Sequence, residues 1–119
     1  MVAGVCKVKW GIDMPKYLVQ GNYTADGTKG VLAEGGTGRR EAVDRVVGSC
    51  GGTLESMYFA FGADDFHIVV DMPDDASMAA MAMAVRAAGA VMSRVVPLLR
   101  PEDLDEAARK TVDYRAPGA

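Results

Sequence analysis

Reactive side chains are scarce in this 119-residue chain, which has one histidine, His67, and two cysteines, Cys6 and Cys50. The cysteines stand alone, with no CxxC spacing and no histidine nearby, which argues against a structural zinc site and against a disulfide framework. Reduced thiols in a cytoplasmic protein are therefore expected. Nothing in the spacing brings Cys50 to His67, so neither a Cys-His nor a Ser-His-Asp arrangement is supported. Positive charge is not in surplus either. The formal net charge is -3 and the pI about 5.0, whereas a protein that neutralises phosphates needs the opposite balance, so nucleic acid is not an expected partner. No apolar run reaches the roughly 18 residues that span a bilayer, and no membrane partner is expected. Met1 to Trp10 carries lysines but lacks the apolar stretch and cleavage site of a signal peptide.

Cofactor motifs are missing as well. Gly35-Gly36-Thr37-Gly38-Arg39-Arg40 invites a phosphate-loop reading, because glycine amides and a helix start attract anions. It lacks the lysine and the serine or threonine of a P-loop and does not follow a strand directly, so a helix interruption with a flexible hinge is the better account. One histidine with no second ligand at fixed spacing gives no metal site. The expectation is no cofactor and no metal.

What is present is an ordinary globular balance: half the residues are hydrophobic and 24% are charged. The length points to one domain with one core, small enough that self-association would help its stability. Residues 1–13 have no clear period and read as a flexible extension, with Met14 as a natural start; an extra edge strand through Val5 to Trp10 is the alternative. Residues 14–103 form the domain and 104–119 a C-terminal tail, of which Tyr114 to Ala119 is expected to be disordered.

Within the domain, Lys16 to Thr24 alternates as a strand, with Tyr17, Val19, Gly21 and Tyr23 on one face and Leu18, Gln20 and Asn22 on the other. Thr24 caps a helical turn through Leu32, with Asp26 at its positive end. The glycines at 35, 36 and 38 break it. Arg39 to Cys50 resumes the helix, carrying Ala42, Val43, Val46 and Val47 on one face, and Gly51-Gly52 ends it. Thr53 to Phe61 and Phe66 to Met72 are strands joined through Gly62-Ala63-Asp64-Asp65, a link short enough to require an antiparallel hairpin. Pro73 stops the third strand, and Asp74 or Asp75 caps a helix that runs to Ala88 and closes at Gly89. Val91 to Leu99 is the fourth strand, placed at an edge by Pro97, and Pro101-Glu102-Asp103 opens a short helical turn.

This order predicts an α+β, ferredoxin-like βαββαβ sandwich: an antiparallel sheet with both helices on one face. Phe66, Ile68, Val70 and Met72 should face those helices, leaving Asp65, His67, Val69 and Asp71 on the open side. In the second strand the row Met57, Phe59, Phe61 competes with Leu54, Tyr58 and Ala60. With large apolar groups on both faces, the open side should be covered by a second copy, as a homodimer or higher oligomer. The second helix, from Met78 to Ala88, has almost no polar face, which suits close packing or an adaptable groove.

Met14-Pro15-Lys16-Tyr17, then Asn22-Tyr23-Thr24, Gly51-Gly52, Gly62 to Asp65 before a valine-rich strand, and Pro73-Asp74-Asp75 together resemble the GYD-domain family. The order and spacing carry the likeness over roughly Met14 to Asp103. The family is named for Gly-Tyr-Asp at the hairpin. Here the glycine and aspartate fall on Gly62 and Asp65, and Asp64 stands where tyrosine is expected. The resemblance implies a ferredoxin-like, dimeric α/β-barrel type of fold, found in bacteria and archaea, with no established biochemical function.

The candidate catalytic residues are His67, as a base near neutrality, and Arg94, as an anion binder. Tyr17, Tyr58, Phe59, His67 and Arg94, joined by Tyr23, are candidates for lining a ligand pocket between the open faces of two subunits. Arg94 needs a counter-charge within its apolar strand, and Glu55, Asp71 or a carboxylate ligand are the choices. Gly62, Asp64 and Asp65 make the hairpin motif, with Asp65 expected to bond backbone amides. The leading functional reading is a homo-oligomeric module holding a small apolar or weakly acidic molecule between paired sheets. The alternatives are a cofactor-free small-molecule oxygenase or isomerase, argued from fold analogy, and a regulatory module that binds a partner at its sheet edge.

Overall fold

The computed structural model describes residues 14–119, so the extension and the alternative edge strand proposed for 1–13 lie outside the described residues. Seven elements follow in order: β1 (Lys16–Tyr23), α1 (Ala25–Ser49), β2 (Thr53–Phe59), β3 (Phe66–Asp71), α2 (Asp75–Ala87), β4 (Val91–Leu98) and α3 (Pro101–Ala108). The strands form one antiparallel sheet in the order β2-β3-β1-β4. The fold is the ferredoxin-like α+β arrangement, with α3 added at its end. The boundary expected at 103 falls inside α3, and the residues beyond it are exposed.

Burial follows the alternation of β3 residue by residue. Phe66, Ile68 and Val70, with Met72 beyond the strand end, are buried against α1 and α2, and His67, Val69 and Asp71 look the other way. Val47 of α1 and Met78 and Met81 of α2 complete this core with Tyr17. The ambiguity of β2 has a physical cause, a β-bulge. The register slips between Leu54 and Ser56, so Leu54, Met57 and Phe59 oppose Val70, Ile68 and Phe66 on the helix side, while Ser56 and Tyr58 oppose Val69 and His67. One extra residue, Glu55, moves every later side chain to the other face. The strand ends at Phe59 rather than Phe61, because the Ala60 amide donates to the Asp65 carbonyl at 2.8 Å and closes the loop.

Capping explains where the helices begin. The Thr24 hydroxyl accepts the Gly27 amide at 3.1 Å and donates to the Gly89 carbonyl at 3.0 Å, tying the start of α1 to the entrance of β4. Asp74 takes the Ser77 amide at 2.8 Å at the start of α2, and that bond, assisted by the Ser77 hydroxyl, lowers its pKa. α1 is broken at Gly35, whose φ of 79° and ψ of 169° no helix accommodates. The interruption is narrower than the glycine run, since Gly36 to Gly38 are again helical. Met78 and Met81 carry the buried side of α2, whereas Ala79, Ala80, Met83 and Ala84 are exposed, so its apolar outer side is uncovered in the single chain.

Candidate functional site

Strand register collects the candidate residues of the open face into rows. Tyr58 pairs with His67, His67 with Gln20, and Gln20 with Arg94, so these four residues form one polar row across all four strands. Beside it runs a second row of Ser56, Val69, Leu18 and Val96, mostly apolar. At the far end Lys16 pairs with Glu55 and, at 2.9 Å, with Asp71, which also meets Arg100 at 3.4 Å. Burial pulls the Lys16 ammonium down, but the two carboxylates outweigh it and leave its pKa raised. Among the described residues the His67 ring makes no hydrogen bond.

Arg94 finds a different partner from those expected. Its Nη2 donates to both oxygens of Asp64, at 3.0 and 2.8 Å, while Glu55 and Asp71 are engaged by Lys16 and Arg100. The hairpin loop reaches past β1 to make this contact: the Asp65 amide donates to the Gly21 carbonyl at 2.7 Å and the Asp65 carboxylate accepts the Tyr23 amide at 2.9 Å. The ion pair lies within one chain. Tyr17, Tyr23 and Phe59 also stand apart from the expected grouping, because odd positions of β1 and the bulge in β2 turn them toward the helices. They cannot line a space above the open face with Tyr58, His67 and Arg94. The Tyr17 hydroxyl instead donates to Asp75 at the start of α2, and its pKa is pushed up to about 12, first by burial and then by that carboxylate.

On the helix side the chain leaves a partly open space. A cavity of about 70 Å³ lies between the central strands and the two helices, walled by Val19, Ile68, Val43, Val46, Met81, Val85 and Val91. Tyr23, Arg39 and Ser93 add the polar groups of its lining. Tyr23 stacks at a tilt on Phe66, ring centres 5.2 Å apart, and burial is the main reason its pKa is raised, with Arg39 opposing and Glu34 and Asp65 assisting. Arg39 meets Glu34 at 3.2 Å, an ion pair that spans the break at Gly35. Sequence reasoning weighed Arg39 only as part of a phosphate loop; the signal for its present place was an arginine one turn beyond a glycine break.

The GYD domain family model matches residues 17–108, most of the chain. The chain belongs to the GYD-domain family. No curated protein and no solved structure matches it. In this GYD-domain chain the β2–β3 hairpin loop is a fastening: Gly62 is exposed at its tip, Asp65 holds β1, and Asp64 holds β4 through Arg94. Among the described residues of the GYD-domain chain no cluster of three metal-binding side chains occurs, and no helix is long and apolar enough to cross a membrane.

Proposed function

We propose that this GYD-domain protein is a homodimeric small-molecule-binding module, in which two copies stack their open sheet faces and each holds a ligand in its own helix-side cavity. The observation that carries the reading is the make-up of the open face. Leu18, Val69 and Val96 form an apolar band between two sets of charges that are already paired within the chain. Lys16, Arg100 and Arg94 balance Glu55, Asp71 and Asp64. A face of this kind can be covered by its own copy without opposing a net like charge, and a two-fold axis makes the contact self-complementary. Burying the band supplies the hydrophobic gain, at about 25 cal/mol per Å² of apolar surface. His67, Tyr58 and Gln20 then lie within the contact, where they fix its register. The ligand space is kept clear of that contact, because it lies on the opposite side of the sheet.

Sedimentation velocity across micromolar concentrations tests this. The wild-type chain is expected to sediment as a dimer, and Leu18→Lys, which adds an ammonium to the apolar band without touching the core, as a folded monomer. A wild-type chain that sediments as a single subunit throughout would sink the reading.

A further inference from the structure

The geometry points to a ligand class for the helix-side cavity: a short apolar chain ending in a carboxylate that sits on Arg39. This rests on the reading of the chain as a small-molecule-binding module and adds what the module selects.

Protein interiors are close-packed, and few voids exceed the size of a water molecule. The space here, about 70 Å³, is several times what one water needs. Its wall uses valine at Val19, Val43, Val46, Val85 and Val91, where leucine or phenylalanine would close it. Such a wall favours a hydrocarbon body over a polar one. The chemistry changes at Arg39, whose guanidinium joins the lining and offers a planar fork of donors matched to a carboxylate.

That fork is already occupied by a carboxylate of the chain itself, Glu34, at 3.2 Å. Both side chains are about one-third exposed, so the pair is weakly held and can exchange for another anion. Glu34 lies immediately before Gly35 and Arg39 four residues after it, and the backbone between them leaves the helix at φ 79°. Glu34 thus acts as a stand-in for the ligand's charged end, displaced when an anion with an apolar body enters.

Butyrate, compared with its uncharged near-isostere 1-butanol, tests the class. Binding to the full-length chain is followed through the methyl NMR signals of Ile68, Val85 and Met81. Butyrate is expected to shift these signals and to bind about tenfold more tightly than 1-butanol, the usual advantage of a charge-assisted contact. Arg39→Gln should abolish that difference. Glu34→Gln should strengthen butyrate binding several-fold and leave 1-butanol unchanged. Equal binding of the two probes, unaffected by Arg39→Gln, would overturn the anion assignment and leave the module intact. If neither probe moves the three methyl signals at millimolar concentration, the helix-side site falls, and the ligand class with it.

Discussion

Two glycines three residues apart on α1 should respond in opposite directions to the same substitution. Gly30 is exposed, and a methyl group added there would meet nothing within 4 Å. Alanine is favoured over glycine in a helix by about 1 kcal/mol, so Gly30→Ala should stabilise the fold by up to that amount. Gly27 is buried one turn earlier, and a methyl group added there would run into the backbone carbonyl of Ala90. That carbonyl cannot simply move, since it accepts the Thr24 amide at 2.9 Å and, at 3.3 Å, shares the Thr24 hydroxyl proton with the Gly89 carbonyl. Overpacking costs about 1–3 kcal/mol, and weakening two hydrogen bonds costs about 1 kcal/mol each. Setting the helix-propensity gain against these leaves Gly27→Ala destabilised by about 2–4 kcal/mol. Urea unfolding followed by circular dichroism, at one fixed protein concentration so that any self-association contributes equally, measures both. For a domain of this size 1 kcal/mol moves Tm by roughly 4 °C, so the variants should melt on either side of wild type. Equal stability of the two would refute the close approach of α1 to the entrance of β4, and with it the clasp that sets α1 over the cavity.

Arg94→Ala strands the Asp64 carboxylate, which is only about 10% exposed. The arginine itself is 60% exposed, so the expected loss is about 1–2 kcal/mol, below that of a fully buried pair. The double variant with Asp64→Asn should recover part of this, and strict additivity in the cycle would refute the pairing. The Tyr17 phenol should titrate at about 12 in an ultraviolet absorbance titration against Tyr17→Phe. Its raised value favours the neutral folded form, so its stabilising contribution is complete below about pH 10 and disappears as the pH climbs through the folded value; a normal titration would contradict its burial against Asp75. Val85→Ile adds a methylene to the cavity wall and should stabilise by about 0.8 kcal/mol, whereas a loss of about 1–3 kcal/mol would mean that the space is already filled.

The fold was legible because its punctuation is chemical. Thr24, Asp74 and Gly51 mark helix ends by hydrogen bonds and backbone conformations available to few residues, and the alternation from Phe66 to Met72 assigns the buried face without tertiary information. The candidate site was less legible, for three reasons. The bulge at Glu55 is a register event that local alternation cannot reveal, and it carried Phe59 to the covered side. The partner of Arg94 lies 30 residues away in a loop, so only the path of that loop decides between Asp64 and the carboxylates of the sheet. The cavity is a property of side-chain sizes on several elements at once, and no single segment announces it. In the hairpin, by contrast, the expectation that Asp65 bonds backbone amides describes the observed contact with Tyr23.

The two outermost strands have a consequence for how such a sheet behaves when crowded. β2 is bent by its bulge, with the charged Glu55 as the extra residue, and β4 contains Pro97, which has no amide hydrogen to give. Each rim therefore resists the addition of another strand, the step by which exposed sheets grow into ribbons and fibrils. Growth along the hydrogen-bonding direction is blunted at both ends, and the stacking proposed for the flat side closes after one partner has been added.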